Sequence, residues 1–334
     1  MWKSMVVVLA GLFLAMAGME SGMAVADQER PRIGMVQFGM EPNVEVCKQG
    51  ILKALAEEGY RDGETVDIVY KNAQADFSLV HSCTQDLVRR KVDILVPLST
   101  PCLQSAAQAA NRNEDLKIVF GYVYDPYKLG VAKSPEDHLP NVTGISCFVP
   151  VEWVLDTIRA VFPDRKEVGI VWNSSEANSE AVIGKLRTYA PTIGLQLVEV
   201  TVTGSAEVLE ASRALVNRGA RVFLSAGDNT LNVAFDSYAR VAEENQLPVF
   251  SMDSESGDGA LIVLGPDYFQ TGYDTGKYIS RVLKGEKTSD LPICVTKETA
   301  FIVNMDVARK LGLSVPEEIV KKASKVVGAE SKSN

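Results

Sequence analysis

The chain has 334 residues, a formal net charge of −9, five cysteines and two histidines. An acidic chain with no basic cluster argues against nucleic acid and anionic membrane surfaces as partners. His81 and His138 are too few for a zinc site or for catalysis built on histidine.

The first residues read as a targeting segment. Lys3 precedes an almost unbroken apolar run from Met5 to Ala17, and Ala24-Val25-Ala26 has the small-x-small form of a cleavage site. Residues 1–26 are therefore expected to be a secretory signal cut before Asp27, which implies a periplasmic mature protein. No later segment is apolar enough to cross a bilayer. The mature chain beyond the signal is too long for one ordinary core and suits two domains. The cysteines, Cys47, Cys83, Cys102, Cys147 and Cys294, have no metal-ligand spacing and form no C-x-x-C pair. Most sit in apolar company, as buried thiols do. Cys83 and Cys102 would pair only if their helices are neighbours.

In chain order, RIGMVQF at 32–38 reads as a strand. Cys47, Ile51, Leu52 and Leu55 then recur at helical spacing, and Gly59 stops that helix as a left-handed cap. Further strands lie at 66–70, 92–98 and 117–125, with helices between them. The second half repeats the order. Strand 167–172, a helix over 175–194 and strand 195–202 echo the opening, and Gly169 and Gly194 stand at the spacing of Gly34 and Gly59. Strands at 221–226 and 247–255 complete the echo. Alternation of this kind predicts α/β architecture with two doubly wound parallel-sheet lobes. Crossovers between lobes are expected near 144–150, near 265–268 and near Cys294. The N-terminal lobe is expected to hold 27–146 plus about 268–294, and the C-terminal lobe 147–267 plus about 295–330. The tail from Met305 to Val327 reads as helical.

In open α/β sheets, ligands bind beyond the carboxyl ends of the strands. That rule selects Gln37, Phe38 and Met40, then Asn72 and Gln74, then Ser99 and Thr100, then Tyr122, Tyr124 and Asp125. From the second half it selects Trp172, Asn173 and Ser174, then Gly227, Asp228, Asn229 and Thr230, then Asp253, Ser254 and Glu255. Small hydroxyls, amides, carboxylates and rings suit a small polar ligand with an apolar part. Each of the Ser, Asn and Asp positions is equally well explained as a helix N-cap. Enzyme motifs are largely absent: there is no G-x-S-x-G elbow, and Gly272-Tyr-Asp-Thr-Gly276-Lys277 is one residue too short for a phosphate loop. A paired-acid glycosidase is left open by the abundant carboxylates. No cofactor is expected.

Several segments, in order along nearly the whole mature chain, resemble one family. They are NAQAD at 72–76, STP at 99–101, YDP at 124–126, NVTGIS at 141–146, NSSEANS at 173–179, GDNT at 227–230, GPDYFQTG at 265–272 and ARKLGLSVP at 308–316. They are similar to the substrate-binding proteins of bacterial ABC uptake systems whose members include binders of tryptophan and other aromatic amino acids. The resemblance implies a type I periplasmic binding fold, two lobes on a hinge, and delivery of one small molecule to a membrane permease and its ATPase by a monomeric, non-enzymatic protein. It also implies that Ser99 and Thr100, with Asn178 and Ser179 from the facing lobe, hold the ligand's charged end. Asp125, Asp228 and Asp253 are the acids for an ammonium group. Phe38, Tyr122, Tyr124, Trp172 and Tyr268 are the candidates for the side-chain pocket. Cys102, Tyr124-Asp125-Pro126 and SMDSES depart from the usual family pattern, and all three lie at the expected pocket. Two other classes stay open on sequence: a periplasmic sensor subunit that docks on a receptor, and an exported hydrolase on a similar fold.

Overall fold

Two sheets, each covered by helices on both faces, carry the architecture. The computed structural model describes residues 30–329, without 112, 114, 148–150 and 256–258. The expected signal segment and part of the first expected crossover lie outside the described residues.

The first half runs β1 (Arg32–Gln37), α1 (Pro42–Glu57), β2 (Asp67–Asn72), α2 (Phe77–Arg89), β3 (Ile94–Leu98), α3 (Thr100–Ala110), β4 (Lys117–Val123) and β5 (Val142–Cys147). The second half runs α4 (Val151–Val161), β6 (Glu167–Asn173), α5 (Ala177–Tyr189), β7 (Gln196–Val202), α6 (Val208–Asn217), β8 (Val222–Ser225), α7 (Asn229–Val233), α8 (Phe235–Glu244), β9 (Val249–Ser251) and β10 (Ile262–Pro266). The chain ends with α9 (Tyr268–Leu283), β11 (Cys294–Thr296), β12 (Thr299–Asn304), α10 (Met305–Lys310), α11 (Glu317–Lys322) and β13 (Lys325–Val327). The first sheet has the order β11-β5-β4-β3-β1-β2, and the second β13-β12-β10-β9-β8-β6-β7.

Strands β1, β3 and β10 are buried along almost their whole length, so they read as largely apolar runs rather than as alternating ones. Among the described residues the named strands pair in parallel except β10 with β12. The tail differs from the sequence expectation. Helices α10 and α11 form, but Lys325–Val327 is a strand that pairs in parallel with β12. Its partner is remote in sequence, and three residues are too few to show a period.

The chain passes from the second sheet back to the first through α9, which packs tightly along α1. This crossing depends on glycines. A β-carbon at Gly272 would stand 1.8 Å from the Cys47 carbonyl oxygen, and one at Gly50 would stand 2.2 Å from that of Phe269. The glycine pair at 272 and 276 therefore serves close helix packing. It fixes the start of α9, where Tyr268 sits.

Candidate functional site

The two sheets face each other with the carboxyl ends of their strands, and a cavity of about 370 Å³ lies between them, partly open to solvent. It is lined by Thr100, Tyr122, Tyr124, Cys147, Asn178, Val182, Gly227, Asn229, Asp253 and Tyr268.

On the first-sheet side, β3 ends at Leu98 and α3 begins at Thr100. Ser99 caps α3, its hydroxyl accepting from the Cys102 N–H at 3.4 Å. Its backbone, at φ 146° and ψ 163°, lies in a region costly for any residue but glycine. The sharp turn leaves Ser99 in its capping role and puts Thr100 on the cavity wall. In the first turn of α3 Pro101 has no N–H and the Cys102 and Leu103 N–H groups bond to Ser99, so what the turn offers an anion is the partial positive charge of the helix N-terminus and the Thr100 hydroxyl.

A bulge in β4 delivers the next group. Phe120 packs with α2 and α3 on one face of the sheet. A β-carbon on Gly121 would meet Thr275 of α9 on the other face, where Tyr122 also packs. Two successive residues share a face because the β4–β5 register shifts between Phe120 and Val123, and Tyr122 takes φ 56°. In an unbroken strand Tyr122 would share the face of Phe120. Instead its ring meets that of Tyr268 edge-on, with centroids 4.9 Å apart. Such a pair makes a stiff apolar wall.

On the second-sheet side, Asp253 comes just after β9 and is 1% exposed. Its carboxylate accepts from Tyr268 Oη at 3.1 Å and Ser225 Oγ at 3.3 Å, both neutral. Burial pushes its pKa up to about 6 despite these bonds. Asn178 projects from the first turn of α5, and its Oδ1 is buried with no hydrogen-bond partner. The cavity thus offers acceptors on one wall and a helix N-terminus with a hydroxyl on the other.

Other residues selected at the strand ends do different work. Glu176 caps α5 in position, yet its carboxylate accepts from the Asn229 and Thr230 N–H groups and their side chains. Asp228, which caps α7, in turn accepts from the Asn173 N–H at 2.7 Å and Ser179 Oγ at 2.6 Å. Asn173 Nδ2 donates to Thr230 Oγ1. These bonds brace α5 and α7 against each other. Asn173, Ser179 and Asp228 belong to the brace and do not line the cavity; Asn229 belongs to both. Burial and then Glu176 push the Asp228 carboxyl up to about 8.

Gln37 and Asn72 both donate to the Gly39 carbonyl, at 2.7 and 3.2 Å, and so fasten the loop after β1. Phe38 is buried against Phe77, with ring centroids 4.7 Å apart. Asp125 accepts from the Tyr127 and Lys128 N–H groups in a turn and borders two neighbouring hollows rather than the cavity. Trp172 donates to Glu199 and lies under Arg187, away from the cleft. Gly227, selected at a strand end, lines the cavity; Cys147 and Val182 line it without having been selected at a strand end, because a thiol and a valine carry no polar signal. All five cysteines are free, Cys83 and Cys102 included.

Two contacts join the lobes beside the cavity. Lys185 Nζ donates to Tyr124 Oη at 3.1 Å, and the Glu255 N–H donates to Asn43 Oδ1 at 3.0 Å. The cleft is therefore closed. Comparison with solved structures agrees. An ABC domain from Streptococcus pneumonia, in complex with L-Trp, superposes with a TM-score of 0.83 at 29% identity, over 89% of this chain and 100% of that one. The ligand-free, open structure of a substrate-binding protein with adhesive properties from Clostridium difficile scores 0.65 at 32% identity, over 89% and 99%. At similar identity the ligand-bound structure superposes better than the ligand-free, open one. A tyrosine-binding protein of Clostridioides difficile (strain R20291) is 31% identical over 287 residues, 86% of this chain and 82% of its own. The family model for the ABC transporter substrate binding protein matches residues 32–327. Two lobes closed on a polar, ring-walled cavity, with that match across almost the whole described chain, make this protein a member of the ABC transporter substrate-binding family.

Proposed function

We propose that the protein is a periplasmic, monomeric, non-enzymatic receptor that closes on one aromatic amino acid and hands it to an ABC permease and its ATPase. The observation that carries the reading is Asp253. A buried carboxylate on a cavity wall, hydrogen-bonded by neutral groups, calls for a cation, and the α-ammonium of an amino acid supplies one. The opposite wall suits the other end of the same molecule. The α-carboxylate takes the first turn of α3 and the Thr100 hydroxyl, while Asn178 Oδ1 accepts a second ammonium proton. Tyr122, Tyr124 and Tyr268 then enclose the side chain. The relatives described as binding tyrosine and as a complex with L-Trp support the aromatic class.

Closure arises from the same contacts. Ligand groups on one lobe complete partners on the other, so the bound molecule favours the closed form by its differential affinity. The reading is tested by thermal melts of ligand-stripped protein with each of the twenty amino acids. A ligand at a hundred times its Kd stabilises by about 2.7 kcal/mol. Tyrosine or tryptophan should raise Tm by several degrees. A shift with none of the twenty would defeat the amino-acid reading.

A further inference from the structure

Glu41 precedes Pro42 at the start of α1 and is 1% exposed. Neither of its carboxylate oxygens has a hydrogen-bond partner of normal geometry. It does not cap α1 and it does not line the ligand cavity. Its place is the lobe boundary: a β-carbon built on Gly39 would stand 3.1 Å from both Glu41 Oε2 and Val233 Cγ2, and Val233 ends α7 of the facing lobe. On the proposed closure this carboxyl leaves water with only the N–H groups of its own loop nearby and no partner from the facing lobe.

The titratable groups around it are acidic or neutral. Glu176 faces it from the start of α5, with Asp228 behind it. Glu45 lies one turn along α1 and is already paired with Lys48. Cys102 of α3 and Tyr122 of β4 stand on its own side. Glu176 has its own donors from α7, so it does not share one with Glu41.

We infer that closure of this protein is coupled to uptake of one proton at Glu41, so that it holds its ligand more tightly in acid than in neutral surroundings. The electrostatics agree with the geometry. Burial first, and then Glu176, lifts the Glu41 carboxyl from 4.5 to about 7 in the closed form, although the Glu41 and Gly39 N–H groups pull the other way. In the open form, facing water, it keeps its ordinary value. Linkage sets the sign: the closed form binds the proton better. Affinity is then highest below pH 4.5, falls as pH rises towards about 7, and levels off above it. Between pH 5 and 8 the loss from this one group is roughly ten- to hundredfold in Kd.

This inference rests on the proposed closure around an amino acid, and its test separates the two. Titrate the wild type and Glu41→Gln with L-tyrosine by calorimetry at pH 5 and pH 8, each in two buffers of different ionisation heat. The expected result is a Kd that weakens with pH in the wild type, with a proton taken up at pH 6, and a nearly flat Kd with no uptake in Glu41→Gln. At pH 8 the variant should bind more tightly than the wild type. Equal pH dependence in both proteins overturns the inference and leaves the amino-acid reading standing. A loss of affinity in Glu41→Gln at pH 8 makes Glu41 a ligand contact and also overturns it. If L-tyrosine binds neither protein, the amino-acid reading fails, and small-angle scattering of the ligand-free proteins decides. Compaction on acidification in the wild type, with Glu41→Gln equally compact at pH 5 and 8, supports the coupling; identical behaviour of the two overturns it.

Discussion

Replacing Asp253 by Asn removes the charge that the ligand ammonium is argued to meet while keeping the shape of the side chain. The magnitude comes from the burial of Asp253 in the closed cleft. Burial raises the Asp253 carboxyl from 3.8 to about 6, so the ionised form is disfavoured there by about 3 kcal/mol, at about 1.4 kcal/mol per unit. An ammonium ion seated on that carboxylate returns most of this. Its loss corresponds to roughly a hundredfold in Kd. The assay is calorimetric titration of both proteins with L-tyrosine and with 3-(4-hydroxyphenyl)propanoate, which lacks the amine. The asparagine variant should lose about two orders of magnitude for the amino acid and little for the deaminated analogue. Equal losses for the two ligands would refute the pairing, since they would show that the substitution disturbs the cleft and not an ion pair.

Further outcomes rest on named contacts. Thr100→Val should weaken L-tyrosine binding by about tenfold or more, because a hydrogen bond to a charged group is worth roughly 1.5–3 kcal/mol, and should leave the melting temperature unchanged; an unaltered Kd would leave Thr100 as a packing residue only. Asp228 has a folded-state pKa of about 8 against an ordinary 3.8, so the stability it lends is complete below pH 3.8 and is lost as pH rises to about 8. Asp228→Asn should therefore flatten the fall in melting temperature between pH 5 and pH 8; its amide oxygen keeps the cap at the Leu231 N–H, while its NH2 cannot accept from the Asn173 N–H, so the variant also melts lower throughout. Gly272→Ala should lower both the melting temperature and ligand affinity, because its β-carbon would drive α9 away from α1 and carry Tyr268 with it. Gly184→Ala, in α5 with open space around it, should instead stabilise by about 0.5–1 kcal/mol.

The strand-end rule located the cleft because its basis is geometric: parallel strands all point their carboxyl ends one way. It brought out Thr100, Tyr122, Tyr124, Asn229 and Asp253, which the fold gathers around one cavity. It did not separate Asp253 from Asp228, since both come directly after strands of the second sheet. What separates them is the set of donors around Asp228, which come from the end of β6, the first turn of α5 and α7, whereas Asp253 lies on the cavity wall. Tyr122 was selected without a reason for its direction, because a bulge inverts the alternation that a sequence displays. Glu41, an acid before a proline at a helix start, was not selected from the sequence. Its isolation is a property of the facing lobe, which no local pattern records.

A crystal structure of the protein grown with L-tyrosine tests the central claim most directly. The account predicts one molecule in the cavity, with its carboxylate at Thr100 and the first turn of α3, its ammonium at Asp253 and Asn178, and its ring among Tyr122, Tyr124 and Tyr268. A ligand bound in the reverse orientation, or outside this cavity, would contradict it.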